Sequence, residues 1–342
     1  MQLIDAAPLM HFPRPLRLRW YERVLHFKQP AATSRGALTE RRTWLIEANG
    51  CGFGECCIMP GLLPEPTADE LNYWCNRVEQ NQGLGGLNAP SPIQFALECA
   101  LLSALNPGRP RWNTSFSRGE AGIPIHHLIW MNSTENMMTA MQDGIAQGFT
   151  CLKMKVGALP FDDELQLLAN AHERFPDAEI RVDANGAFSI SEALPKMKAL
   201  HEAGVNFIEQ PIRQGQWHDM AQLCRQSPLP IALDEDLIGT APSDILNQIQ
   251  PQGIVIKPSL HGGLLAAQEW ALQAEKHGIQ WWVNSALESS TGLQALAEWC
   301  AYAVPGELQG LGKGNLFTDD DTPQIELRNC RLWLNLIEKV NK

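Results

Sequence analysis

The chain has 342 residues, 44% hydrophobic and 19% charged, a composition typical of a folded globular protein with room for more than one core. Its formal net charge of −11 disfavours a nucleic-acid partner, because phosphate binding needs a clustered positive surface. Because no run of eighteen apolar residues and no signal-like N-terminus occur, neither a membrane span nor secretion is expected. The nine scattered cysteines form no Cys-x-x-Cys pair and predict a reducing cytoplasmic location.

The first 120 residues predict an α+β domain. Alternating residues at 17–21 and 43–47 predict strands, and the turn signal Asn49-Gly50 predicts a hairpin into the segment 53–56. Helical patterns follow at about 68–78 and 93–105. The segments 324–327 and 331–336 also alternate like strands, so we expect the C-terminal tail, 318–342, to return to this domain.

From residue 121 to 317 the sequence predicts a catalytic domain of alternating strands and helices. Seven strand candidates are clear and an eighth is weaker because it contains a glycine: 123–130, 152–156, 180–183, 205–209, 231–234, 254–257, 280–284 and 307–311. Helical patterns lie between them, several ending at a glycine such as Gly148 or Gly204. This alternation predicts parallel βαβ units, but spacing alone does not separate a closed barrel from an open sheet.

An ionisable residue ends each of five consecutive strand candidates. These residues follow one another at intervals of 23 to 28 residues, the length of one βα unit: Lys155, Asp183, Glu209, Asp234 and Lys257. Any one of them could be a solvated loop residue, but five at this spacing favour one rim of a barrel, where active sites in this architecture lie. Three carboxylates sharing that rim need a cation, and oxygen ligands favour Mg2+ before Mn2+ or Ca2+.

Period-two alternation adds further residues to this site. Lys153 lies on the same strand face as Lys155, and Arg181 and Asn185 share a face with Asp183. Two neighbouring ammonium groups lower the pKa of one of them, which then can act as a general base. With Lys257 across the barrel, these residues predict abstraction of a proton next to a carboxylate, and metal and lysines would stabilise the enediolate.

The chain resembles the enolase superfamily, in which lysine bases act with Mg2+. The resemblance runs from about 123 to 316 and rests on Lys-Met-Lys at 153–155, Arg-Val-Asp-Ala-Asn at 181–185, Phe-Ile-Glu-Gln-Pro at 207–211, Leu-Asp-Glu at 233–235 and Ile-Lys-Pro at 256–258. It implies a (β/α) TIM-type barrel with an N-terminal α+β capping domain over 1–120. Similarity to the muconate-lactonising subgroup implies a base, an opposite lysine, an ancillary lysine and three metal ligands: Lys155, Lys257, Lys153, and Asp183, Glu209 and Asp234.

Two later segments narrow the resemblance to o-succinylbenzoate synthases. The segment 284–292 is similar to the seventh-strand motif of that family, and 310–317 lacks the Asp-x-Asp that dipeptide epimerases place there. The resemblance implies dehydration of a succinyl-hydroxycyclohexadiene carboxylate, a small anionic substrate of menaquinone synthesis. We expect four residues to contact it: Arg181, Asn185, Ser285 and Glu288. It also implies a mobile capping loop at 33–40.

Other interpretations stay open at this point. An epimerase, a cycloisomerase or an N-acylamino acid racemase could use the same lysines and metal, because the pocket selects the reaction on this scaffold. A non-catalytic binding protein is disfavoured by the full set of lysines and acids. His126 and His127 are adjacent on a strand, so one must point out of the barrel and they are not expected to share a site. The sequence predicts no oligomeric state.

Overall fold

The computed structural model describes residues 1–33, 36–314, 316–320 and 325–335. Within these ranges the chain forms an antiparallel three-stranded sheet, a parallel seven-stranded sheet surrounded by helices, and a second small antiparallel sheet. Across the described residues, no helix combines the length and apolar character that crossing a membrane requires.

The N-terminal part is a β-meander covered by helices. Its strands are β1 (Leu18–Thr33), β2 (Gly36–Ala48) and β3 (Gly52–Cys56), and its helices are α1 (Ala7–Met10), α2 (Ala68–Asn81) and α3 (Ser91–Leu105). The predicted hairpin is confirmed: β2 and β3 pair across a turn in which Asn49 and Gly50 both have positive φ. Thr67 begins α2 with a reciprocal capping box to Glu70.

Helix α3 joins the meander to the rest of the protein, because it is mostly apolar and almost entirely buried, with Gln94 and Glu98 as its buried polar residues. One side packs on β3 so closely that a Cβ on Gly54 would lie 1.9 Å from the backbone oxygen of Ala96. The other side packs on a helix of the parallel domain. Glycine at position 54 therefore permits the close approach of strand and helix.

The parallel sheet confirms the βαβ units predicted from the alternating pattern. Its strands, all parallel and adjacent in chain order, are β5 (His127–Ile129), β6 (Cys151–Lys155), β7 (Glu179–Asp183), β8 (Phe207–Glu209), β9 (Ile231–Leu233), β10 (Gly253–Ile256) and β11 (Gln280–Val283). The helices are α4 (Thr134–Ala146), α5 (Phe161–Arg174), α6 (Ile190–Glu202), α7 (Trp217–Gln226), α8 (Pro242–Ile249), α9 (Gly263–Lys276) and α10 (Ser290–Ala303).

The weak eighth strand candidate closes this sheet. Gln309 makes a parallel bridge to Ile125 at one edge, and Gly310 makes a parallel bridge to Asn284 at the other. A Cβ on Gly310 would lie 1.6 Å from the side-chain amide of Asn284, so only glycine fits here. The fold is therefore an enolase-like barrel with a cap, as the resemblance implied.

The C-terminal tail lies in two places. Residues 316–319 run along β1, where the Lys28 N–H donates to the Leu316 carbonyl and the rings of Phe27 and Phe317 are in contact. Strand β12 (Ile325–Arg328) instead pairs with β13 (Arg331–Leu334), which pairs with β4 (Ile123–Pro124) at the start of the barrel domain. The expectation that the whole tail returns to the cap is corrected for this segment, while the domain limits at 120 and 317 stay predictions.

Two buried glutamates of the cap bind the amino ends of barrel helices. Glu98 of α3 accepts hydrogen bonds from the backbone N–H groups of Leu264 and Leu265 in α9. Glu55 of β3 accepts from Ser289 and Gly292 at the start of α10. Helix amino ends carry unpaired N–H groups and partial positive charge, so these carboxylates dock the cap on the barrel.

Glu98 makes this docking depend on pH. Burial raises the pKa of Glu98 to about 7, whereas its ordinary value is 4.5. Between these values the unfolded chain has lost this proton and the folded chain still holds it, so stability falls as pH rises. We expect the free energy of unfolding of the wild type, relative to Glu98→Gln, to fall between pH 5 and pH 8 by on the order of 3 kcal/mol.

Urea denaturation at both pH values measures this difference. The control is Glu135→Gln, which removes an exposed acid from the first turn of α4 and should leave the pH dependence unchanged. A wild type and a Glu98→Gln variant with parallel pH profiles would show that Glu98 does not titrate in this range.

Candidate active site

Three buried carboxylates meet at the carboxyl ends of neighbouring strands. Asp183 ends β7, Glu209 ends β8, and Asp234 directly follows β9. Asp183 and Glu209 are opposite one another in the sheet, and one oxygen from each of the three acids lies within 4.8 Å of the others. Such a cluster of oxygen atoms can hold a metal ion.

Three lysines surround these acids. Lys153 Nζ lies 2.6 Å from Glu209 Oε2 and 3.1 Å from Asp183 Oδ2. Lys155 Nζ lies 2.6 Å from that same Asp183 oxygen, so both lysines of β6 face the barrel interior. Lys257, just beyond β10, donates to Asp234 Oδ2. The structure thus brings together the three lysines and three acids that the sequence placed at one rim.

Burial and the lysine charges set the protonation of the cluster. Burial raises the pKa of Glu209 well above its usual range, and the charge of Asp183 raises it further. Although burial opposes it, the charges of Lys153 and Lys155 hold the pKa of Asp183 well below its usual range. The buried site therefore contains one carboxyl group that resists ionisation and one that is firmly ionised.

Contacts with two acids determine the direction of the pKa shift of Lys153. Burial by itself would lower the pKa of Lys153, but the charges of Asp183 and Glu209 raise it. The pKa of Lys257 is also raised, against burial, chiefly by Asp234. Repulsion between neighbouring ammonium groups therefore does not neutralise Lys153, because two acids contact it directly.

Asn185 connects Lys155 to Glu235, which lies just beyond β9. Its φ of 45° is left-handed, and its backbone N–H donates to Asp183 Oδ1 at 3.0 Å. Its side-chain oxygen accepts from Lys155 Nζ at 2.9 Å, and its side-chain nitrogen donates to Glu235 Oε1 at 3.0 Å. Asn185 therefore orients Lys155 as well as lining the cavity in front of it.

A cavity of about 300 Å³ opens between this cluster and the cap. Lys155, Asn185, Glu235 and Lys257 form its floor. The cap contributes the opposite wall, of which only the first two residues lie in a segment named from the sequence: Gly36, Leu38, Met59, Pro60, Gly61 and Leu62. Two of these belong to the predicted capping loop, whose residues 34–35 lie outside the described residues.

Ser285 and Glu288, expected to contact substrate, instead bond to each other. Glu288 is buried, and its Oε2 accepts from Ser285 Oγ at 2.5 Å and from the Ala286 N–H at 2.8 Å. Its other oxygen accepts from Ser259 Oγ at 2.7 Å. Glu288 thereby ties the loop after β11 to the loop after β10, and neither it nor Ser285 is among the described residues that line the cavity.

Arg181 lies elsewhere in the barrel. Its guanidinium stacks on the Trp282 ring, 4.3 Å from the ring centre, and its Nε donates to Glu179 Oε1 at 2.8 Å. Together with Gln280, at the start of β11, it lines a separate cavity at the amino end of the strands. The structure does not bring Arg181 to the carboxylate cluster, so we do not retain it as a substrate contact.

One polar residue of the cluster was missed by the sequence analysis. With its amide oriented to match both neighbours, Asn284 donates to the Val283 carbonyl and accepts from Lys153 Nζ at 3.1 Å. Its signal was the same as for the acids, since it ends the seventh strand candidate. The histidines follow the prediction: His127 Nε2 contacts the Ala140 carbonyl on α4, whereas His126 is buried near Lys153.

Comparison with known proteins assigns the chain to a family. A family model described as enolase C-terminal domain-like matches residues 136–326. The o-succinylbenzoate synthase of Desulfotalea psychrophila (strain LSv54) is 40% identical, over 89% of this chain and 95% of that protein. The N-succinylamino acid racemase of Thermus thermophilus is 27% identical, over 91% of this chain and 86% of that protein.

A solved structure agrees with this assignment. The crystal structure of MenC from Desulfotalea psychrophila LSv54 superposes with a TM-score of 0.80 at 36% identity, covering 94% of this chain and 100% of that one. The residues on which the resemblance rests lie close together at the carboxyl ends of the barrel strands. The chain therefore belongs to the enolase superfamily and, within it, to the o-succinylbenzoate synthase family.

Proposed function

We propose that this enzyme is a lyase that dehydrates 2-succinyl-6-hydroxy-2,4-cyclohexadiene-1-carboxylate to o-succinylbenzoate, a step of menaquinone biosynthesis. The observation that carries the proposal is the gathering of Lys153, Lys155 and Lys257 around three buried carboxylates, in a chain 40% identical to a known o-succinylbenzoate synthase.

The nine cysteines are all free, which supports a reducing cytoplasmic location that cell fractionation would test.

The carboxylate cluster fits a divalent cation, and we propose Mg2+, with Mn2+ as a substitute. Asp183, Glu209 and Asp234 would hold it, since all three donors are oxygen atoms. Asp234 Oδ1 is buried and accepts no hydrogen bond from the described part of the chain, so a ligand is needed there. When bound, the ion would supply positive charge to the substrate carboxylate as negative charge accumulates on it.

Lys155 is placed to take the proton. Its Nζ lines the cavity and is oriented by Asp183 and Asn185. In its neutral form it would remove the proton from the ring carbon next to the carboxylate. The ammonium formed would lie on the same face as the ring hydroxyl and would return a proton to it, so that water departs and the ring becomes aromatic. One base on one face accounts for a syn elimination.

Lys257 and Lys153 act as cations in this scheme. Lys257 lines the cavity on the far side from Lys155, and its raised pKa keeps it protonated. It would donate a hydrogen bond to the substrate carboxylate while the proton is removed. Lys153 holds Asp183 and Glu209 in place from beneath and is almost fully buried. We propose that it positions the ligands and does not touch the substrate.

The charge balance favours an anionic substrate. The three lysines face Asp183, Glu209, Asp234 and the neighbouring Glu235, so negative charge would be in slight excess once a bound cation had ionised all four acids. A divalent cation reverses the sign and leaves the site attractive to a carboxylate. Asn185 stays a proposed substrate contact because it lines the cavity, and contacts from Ser285 and Glu288 stay predictions.

An ultraviolet assay of the purified protein with Mg2+ and the cyclohexadiene substrate tests the function. We expect the diene absorbance to disappear, o-succinylbenzoate to form, and a chelator to stop the reaction. The alternative is racemisation of N-succinylamino acids, favoured by the 27% identity to a racemase and by two lysines lining one cavity. Retained metal binding with no dehydration, together with α-proton exchange of such an amino acid in D2O, would replace the proposed function by this alternative.

A further inference from the structure

His261 makes two hydrogen bonds to the backbone of Lys257. The strand ladder ends where Asn284 N–H donates to the Ile256 carbonyl at 2.9 Å. Lys257 then leaves the sheet, and its carbonyl accepts from the Leu260 N–H at 2.8 Å and from the His261 N–H at 3.0 Å. Its own N–H donates to His261 Nδ1 at 3.1 Å. The Lys257 carbonyl therefore has two donors, whereas the acceptor of the Lys257 N–H is the His261 ring.

The imidazole is suited to act only as an acceptor towards Lys257. Because Nδ1 receives the backbone N–H, its proton must be carried by Nε2. His261 is buried, its ring lies near Trp270, and Nε2 has no hydrogen-bond partner among the described residues. Burial lowers its pKa to about 3, which agrees with a neutral ring. Without this ring the buried Lys257 N–H would have no acceptor from the sheet.

The position of the Lys257 backbone controls where its ammonium lies. The lysine side chain is about 6 Å long, so a rotation of roughly 20° at the backbone moves Nζ by about 2 Å. Misplacements of about 1 Å at a reacting centre can slow catalysis on the order of a hundredfold. The present position brings Nζ to Asp234 Oδ2 and to the floor of the cavity.

We propose that His261 is a positioning residue: its Nδ1 fixes the backbone of Lys257 so that the ammonium points at Asp234 and at the substrate carboxylate. His261 does not touch the substrate and acts only through Lys257. This inference rests on the proposed function for its kinetic consequence, but the position of Lys257 can also be measured without turnover.

Two substitutions of His261 test the proposal. His261→Leu removes the acceptor, whereas His261→Asn keeps an acceptor atom close to the position of Nδ1. We expect His261→Leu to lower kcat at least about tenfold, with KM changed less than about threefold, because the defect lies in the chemical step. We expect His261→Asn to recover kcat to within about threefold of the wild type. Substrate deuterated at the reacting carbon should show a larger isotope effect on kcat in His261→Leu.

His127 provides a matched control. It is equally buried, but it lies on the outer side of the barrel wall, where it contacts the Ala140 carbonyl. His127→Leu and His127→Asn should lower Tm without lowering kcat. A His261→Leu variant with unchanged kcat, or a His261→Asn variant as slow as His261→Leu, overturns the proposal. The proposal is also overturned if kcat of the His127 variants falls together with their Tm as it does in the His261 variants.

A labelling experiment separates this proposal from the proposed function. Lys257 is acylated by a small reagent in the resting protein, and mass spectrometry measures the rate at that residue. Its contact with Asp234 should protect it, so we expect labelling to rise several-fold in His261→Leu and to stay at the wild-type rate in His261→Asn. If the wild type does not dehydrate the substrate, the proposed function fails but the role of His261 does not. That role is overturned if Lys257 is labelled at the same rate in all three proteins.

Discussion

Lys155→Ala is expected to lower kcat at least about a thousandfold while the protein still binds its metal ion. The lysine is the only base in the proposed mechanism, and general base catalysis typically contributes a hundredfold to ten-thousandfold. Its loss also removes the acid that protonates the departing hydroxyl group, so both halves of the elimination are affected. Stopped-flow or steady-state ultraviolet assays give kcat, and calorimetric titration with Mg2+ gives the metal affinity.

Lys155→Arg is the control that separates charge from proton transfer. It keeps a cation beside Asp183 and Asn185, but arginine does not lose its proton near neutral pH. We expect Lys155→Arg to be nearly as slow as Lys155→Ala, with a Tm nearer to that of the wild type. If Lys155→Arg retained most of the activity, Lys155 would be serving as a charge and another group would have to be the base.

Asp183→Asn is expected to weaken Mg2+ binding at least about a hundredfold and to abolish turnover. Even groups that only orient metal ligands change affinity by 10- to 100-fold, and Asp183 is itself a proposed ligand. The acid also contacts the ammonium groups of both Lys153 and Lys155, so its neutralisation removes their shared counter-ion. Calorimetric titration with Mg2+, or with Mn2+ as a magnetic probe, measures the loss directly.

Asp236→Asn distinguishes loss of a ligand from loss of any buried acid near the site. Asp236 is buried two residues after Asp234, but its oxygens accept from Gln210, Gly215 and Trp217 instead of facing the cluster. We expect this variant to lose stability and keep its Mg2+ affinity. Unchanged affinity in Asp183→Asn would remove the carboxylate cluster from its role as the metal site.

The order of residues along the chain was enough to predict which of them share the rim of the barrel. In a parallel sheet, successive strands present their carboxyl ends at one edge, so residues one βα unit apart meet there. This is why Lys155, Asp183 and Lys257 could be grouped before any contact was known, and why the turn Asn49-Gly50 located a hairpin. Both conclusions depend on local geometry with a fixed period, which the order of residues records directly.

The level within the barrel at which a side chain lies was harder to predict from the sequence. Arg181 shares a strand face with Asp183, but two residues along a strand span about 6.6 Å, enough to move its side chain to the cavity at the amino end. Alternation reports the face of a strand and not the level at which a long side chain comes to rest. Stacking on Trp282 decided that level.

Contacts between distant segments were decided by the tertiary structure alone. The bonds of Glu288 to Ser259, of His261 to Lys257, and of the tail strand β13 to β4 follow no sequence period. The cap wall of the cavity, including Met59 and Leu62, belongs to the same class. Each depends on which surfaces pack together once the barrel has closed, since packing selects partners by shape and unmet hydrogen bonds, whereas local spacing fixes only the direction in which a side chain points.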